Sequence, residues 1–65
     1  MKRYLVVYYY SMGDTRSYLC EEGCYSPYIA SAKRFNNDRK AIEYLLSLPD
    51  TEATIYLMEN IWVKI

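Results

Sequence analysis

The chain has 65 residues, 52% of them hydrophobic, with eight Lys plus Arg, eight Asp plus Glu and no His; this makes one domain at most, spanning 1–65, that buries only about 60% of the surface its unfolded form exposes. Zero net charge argues against a strongly basic nucleic-acid binder and against an acidic mimic of DNA. The lack of His removes the usual general base near neutral pH, the commonest metal ligand and any Ser/His or Cys/His nucleophile pair.

Met1-Lys2-Arg3 opens a short apolar stretch, but after Leu5-Val6-Val7 it becomes Tyr8-Tyr9-Tyr10 and then Ser11-Met12-Gly13-Asp14, which does not fit a secretory leader. No segment approaches the roughly 18 apolar residues of a membrane span. The expected location is cytoplasmic, in the cell that makes the chain or in a phage-infected host, with no membrane partner. Lys2 to Tyr10 is rich in β-branched and aromatic residues without Gly or Pro, and predicts a full-length strand. Alternation puts Leu5, Val7 and Tyr9 on one face of it and Tyr4, Val6, Tyr8 and Tyr10 on the other.

Met12-Gly13-Asp14 supplies turn chemistry, so Thr15 to Cys20 returns as a second strand, and Glu21-Glu22-Gly23 is another turn. Cys20 and Cys24 form a single C-x3-C, half a zinc set at an unusual spacing with no His to complete it. No metal is expected. Two reduced thiols are the favoured state, with a close disulfide across the turn as the alternative. Tyr25 to Phe35 is expected to be extended, with Pro27 at the start or edge of a strand because it forbids a helix interior.

Asn36-Asn37-Asp38 is a dense set of helix N-cap candidates, followed by Ala41, Ile42, Leu45, Leu46 and Leu48 at helical spacing. Pro49 and Asp50 stop this helix, with Tyr44 beside its apolar stripe and Glu43 on the wet side. The tail from Thr54 to Ile65 is expected to be a hairpin turning at Glu59-Asn60. A three-residue loop or a bulge unites Ile55, Leu57, Ile61, Val63 and Ile65 on one face and sends Tyr56 and Trp62 to the other.

The element order is β-β-β-α-β-β: an α+β fold with a small antiparallel sheet of four to five strands and one helix on one face. The expected aliphatic core is Leu5, Val7, Ile42, Leu45, Leu46, Ile55, Leu57 and Val63. One short helix cannot cover both faces of such a sheet. If it covers the Leu5 face, the bare face carries Tyr4, Tyr8 and Tyr10, joined by Tyr56, Met58 and Trp62 from the tail. Nine tyrosines and one tryptophan supply large contact area with polar tips, so Tyr4, Tyr8, Tyr10, Tyr56 and Trp62 are the candidate partner-binding residues. The competing readings are a half-wet sheet face and a homodimer seam.

Lys33, Arg34, Arg39 and Lys40 hold half of the eight cations within eight residues, around Phe35. A basic patch with an aromatic can hold phosphates and stack a base. Against this, Arg39 and Lys40 lie in the first turn of the helix and are offset by Glu43 and Asp38. No pair of carboxylates is aimed at one point, and Gly13 and Gly23, the only glycines, form no phosphate loop. No enzyme, no catalytic residues and no cofactor are expected.

Two resemblances follow from these residues. Tyr4-Leu5-Val6-Val7-Tyr8, Gly23-Cys24 and the helix Asp38-Arg39-Lys40-Ala41-Ile42-Glu43-Tyr44 resemble the partial RNase-H-like domain of HicB antitoxins, although the Pro-Asp-Leu-Pro-like stretch of that family is missing and the route to the helix is longer. In overall style, with an aromatic first strand, one helix and a closing hairpin, the chain is similar to phage-encoded accessory proteins, including anti-CRISPR inhibitors. The second resemblance, with the aromatic sheet face, implies a small protein-binding module, a phage-type inhibitor or adaptor that blocks a host protein complex by surface docking. The alternative is a small nucleic-acid-binding regulator or HicB-like antitoxin using Lys33 to Lys40.

Overall fold

The computed structural model describes residues 1–48 and 55–64. The long run of β-formers at the start becomes β1 (Lys2–Ser11), which turns back into β2 (Thr15–Leu19). Met12 and Gly13 both take positive φ, 46° and 80°, the left-handed geometry that lets a tight connection follow the right-handed twist of its strands. Gly13 enters that region freely, whereas Met12 does so against its Cβ.

After Leu19 the chain makes a single 3-10 turn at Glu21–Gly23, which Gly23 leaves at φ 77°. The loop is closed by the Cys20 N–H donating to the Cys24 carbonyl at 2.8 Å. β3 (Tyr25–Ser26) pairs with β2 and stops at once before Pro27, which has no N–H to continue a ladder. A second 3-10 turn, Ile29–Ser31, interrupts the stretch expected to be extended. The chain then returns to the sheet through bridges of Ala32 to Cys20 and of Phe35 to Leu5.

α1 (Asp38–Leu46) begins at the N-cap Asn37, whose Oδ1 accepts from the Lys40 N–H at 2.9 Å. One of the three Asx residues expected there thus satisfies an otherwise unpartnered N–H of the first turn. The expected stop at Pro49 and Asp50 lies outside the described residues. Among the described residues, β4 (Leu57–Val63) completes an antiparallel four-stranded sheet of order β3-β2-β1-β4 with α1 on one face.

Among the described residues the closing hairpin is not formed; Thr54 and Ile65, the ends of the expected hairpin, lie outside them. Glu59 and Asn60 lie in the middle of β4, which pairs residue for residue with β1 from Lys2–Val63 to Tyr8–Leu57. Neither residue forces a turn, and the ten residues of β1 offer a longer partner than the tail could make with itself. A strand without any turn also unites Leu57, Ile61 and Val63 on one face.

β1 is central and buried on both sides, so Val6 and Val7, which point in opposite directions, are both 0% exposed. On the helix side Val7, Leu19, Phe35 and Ala41 pack with Leu5, Tyr44, Leu45, Leu48, Tyr56 and Met58. On the other side Val6, Tyr8, Tyr18 and Ala32 pack with Ile61. Of the expected core, Leu5, Val7 and Leu45 lie in the helix-side cluster. Ile42, Leu46, Ile55 and Leu57 are exposed, and Val63 is half-buried.

The helix explains its own part of this difference. The small Ala41 lets α1 sit close to β1, so the Ala41, Tyr44, Leu45 and Leu48 edge meets the sheet. Ile42 and Leu46 each follow a sheet-facing residue by one position, about 100° around the helix, and point to solvent.

Candidate functional site

The sheet face away from the helix is built by register. Residues directly opposite in an antiparallel pair share a face. Tyr8 lies opposite Tyr18 and Tyr10 opposite Arg16 on one side of β1, and Tyr4 lies opposite Ile61, Val6 opposite Glu59 and Tyr8 opposite Leu57 on the other. The helix-free face therefore holds Tyr4, Val6, Tyr8, Tyr10, Arg16, Tyr18, Leu57, Glu59, Ile61 and Val63.

Arg16 is its centre. The guanidinium carbon lies 4.2 Å from the Tyr8 ring centroid and 5.7 Å from that of Tyr10. Its nitrogens donate to Tyr10 Oη at 3.3 Å, to Tyr18 Oη at 3.4 Å and to Glu59 Oε2 at 2.8 Å. The bond to Tyr18, then that to Tyr10, raises the guanidinium pKa above its ordinary value, so the group stays cationic at any accessible pH. Tyr10 stands edge-on to Tyr8, with centroids 5.7 Å apart. Tyr4 extends the aromatic surface, with Lys2 Nζ 5.1 Å and the Arg34 guanidinium 5.7 Å from its ring centre.

Of the five residues expected to form the partner-binding surface, Tyr4, Tyr8 and Tyr10 share this face. Tyr56 and Trp62 do not. The β1–β4 register sets Trp62 opposite Arg3, and Met58 opposite Val7, which puts all three even-numbered residues on the helix side. There Tyr56 packs against Tyr9, centroids 5.9 Å apart, and shares a 2.6 Å hydroxyl hydrogen bond with Tyr25. Trp62 is 66% exposed on that same side. Tyr8 is only 8% exposed, so it is a core residue whose ring carries Arg16, not a free anchor.

The sequence reading missed Arg16, Tyr18 and Glu59. The signal for the first two was present: alternation along Thr15 to Cys20, folded back across the Met12-Gly13-Asp14 turn, places Arg16 and Tyr18 beside Tyr10 and Tyr8. Glu59 carries no such signal, because Glu59-Asn60 alone suggests a turn.

The basic residues gather only in part. Lys33, Arg34 and Lys40 line a shallow depression of about 450 Å³ with Phe35, Asn36, Glu43 and Tyr44. Lys33 is bound to Glu21 at 3.0 Å and lies 5.1 Å from the Tyr44 ring centre. Arg39 does not line the depression but pairs with Glu43, which does, at 3.5 Å.

Cys20 and Cys24 are both free thiols. Cys20 is half-buried and donates to the Tyr18 carbonyl at 3.4 Å. Loss of hydration, then the neighbouring Cys24, pushes its pKa up. Among the described residues no group of three or more Cys, Asp or Glu side chains could hold a metal ion, and no helix is long and apolar enough to cross a membrane. No family model, curated protein or solved structure matches the chain.

Proposed function

We propose that the chain is a small protein-binding module, an inhibitor or adaptor of the phage type, that docks through the helix-free face of its sheet. The observation that carries this reading is the cluster of Tyr8, Tyr10 and Tyr18 around Arg16, flanked by Tyr4, Leu57, Ile61 and Val63. Tyr and Arg dominate the energetic centres of protein interfaces, because each offers a large planar surface with a polar tip. Here they stand on the paired strands β1 and β2 and bind one another, so little side-chain freedom is lost on docking. Tyr10 and Leu57 are exposed, while Tyr4, Ile61 and Val63 are half-buried. The Arg16 charge is matched by Glu59 at 2.8 Å, so the face favours an apolar and hydrogen-bonding partner surface over a polyanion.

A second reading has its own observation: the depression lined by Lys33, Arg34 and Lys40 over Phe35 and Tyr44 would suit a phosphate backbone. It is the weaker of the two, because Lys33 and Arg39 are bound to Glu21 and Glu43.

Affinity capture from the host, followed by titration of the retained partner, separates the two readings. Tyr10→Ala is expected to weaken binding by more than about 1 kcal/mol, and Trp62→Ala, on the other face, to leave it unchanged. Loss of binding in Arg34→Ala and Lys40→Ala alone, together with a steep fall in affinity with salt, would replace this reading with the nucleic-acid one.

A further inference from the structure

The two edges of the sheet are treated differently. At one edge β3 has two residues and is cut off by Pro27, a common way to keep an edge from recruiting another strand. At the other edge β4 has seven residues, Leu57–Val63, without Gly or Pro. It runs without a bulge along β1. Among the described residues no backbone hydrogen bond leaves its outer side. Its one charged residue, Glu59, is drawn onto the sheet face by Arg16 and does not guard the edge. Leu57 and Trp62, near its two ends, are exposed.

We infer that β4 pairs antiparallel with β4 of a second copy of this chain, about a two-fold axis through Asn60 and normal to the sheet. The strand is self-complementary in that register. Met58 of each copy meets Trp62 of the other on the helix side. On the helix-free side Leu57 meets Val63, and Glu59 meets Ile61. A two-fold at Glu59 would set two carboxylates directly opposite each other, which is unfavourable. A two-fold at Ile61 would place Met58 against Lys64 and give up its contact with Trp62. The Asn60 register keeps both helices on one side and joins the two four-stranded sheets into one. A chain this short also gains the shared core that one small domain lacks. The pairing does not depend on the docking proposal, but it would set the two aromatic faces side by side in one plane.

Sedimentation equilibrium of the purified chain tests this without any partner. The wild type is expected to form a concentration-dependent dimer. Asn60 is exposed, so Asn60→Lys should keep its circular dichroism while the mass in solution halves, because two ammonium groups then meet on the axis. Asn60→Asp should do the same. An equimolar mixture of the two should recover the dimer, since Lys now faces Asp. A wild type that stays monomeric at its highest soluble concentration overturns the inference. So does an Asn60→Lys dimer of undiminished strength, or a mixture that remains monomeric. If Asn60→Lys does not fold, the double variant Leu57→Cys, Val63→Cys in a Cys20→Ser, Cys24→Ser background decides, because these two positions face each other as a close, non-hydrogen-bonded pair in this register: a covalent dimer on mild oxidation supports the register, and its absence rejects it.

Discussion

Arg16 lies over the Tyr8 ring, its guanidinium carbon 4.2 Å from the ring centroid, and with Tyr18 and Glu59 as further partners it forms a lid over the helix-free side of β1. Beneath and beside this lid Val6, Tyr8 and Tyr18 are buried together with Ala32. Arg covers apolar surface with its stem and a ring with its planar head while the charge remains wet.

Arg16→Ala should therefore lower the urea midpoint by uncovering Tyr8, not merely by deleting an ion pair. Arg16→Lys should fall between the variant and the wild type, because an ammonium keeps the charge but not the planar fork. Glu59→Gln, which removes only the charge of the partner, should have the smallest effect. Equal losses in Arg16→Ala and Glu59→Gln would show that the ion pair, and not the stacking, holds this face together.

The core places its weight on a different set of aliphatic residues from those expected. Leu19 is 0% exposed and Leu46 is 79% exposed. Leu19→Ala should cost about 2–5 kcal/mol through lost burial and a residual cavity, enough to unfold a domain of this size. Leu46→Ala should stay within about 0.5 kcal/mol of the wild type. Chemical denaturation measures both, and a large loss in Leu46→Ala would mean that this surface of α1 is covered in solution.

Tyr25 provides a pH dependence. Its hydroxyl is 2.6 Å from that of Tyr56. Loss of hydration first, and then this hydrogen bond, raises its pKa above the ordinary value near 10. The fold thus favours the neutral phenol. This contribution is fully present below the unfolded-state pKa and is lost as pH rises through it toward the higher folded-state value. Unfolding free energy should decline above about pH 10, and Tyr25→Phe should flatten that decline while losing some stability at neutral pH. An identical slope in the variant would assign the alkaline loss to other tyrosines.

Local signals in the sequence were enough for β1, for the turn and β2 that follow it, and for the helix behind its Asn cap. Each of these rests on neighbours in the chain: β-formers in a row, a Gly that accepts positive φ, an Asn oxygen three residues before the N–H it accepts. They were also enough to place Tyr4, Tyr8 and Tyr10 on one side of β1, since alternation is a property of a single strand. The course of the tail was not local. Glu59-Asn60 is compatible with a turn or with a strand, and pairing with the ten residues of β1 decided between them. That pairing also decided the faces: Trp62 lies opposite Arg3 and Ile61 opposite Tyr4, and a shift of one residue would have exchanged Tyr56 and Trp62 with Leu57, Ile61 and Val63. Sequence alone determined that the chain has a tyrosine-rich strand with one side left over by its helix. Only the tertiary structure decided that Arg16 and Glu59, 43 residues apart, close that side together, because strand register arises between distant segments and leaves no trace in either segment alone.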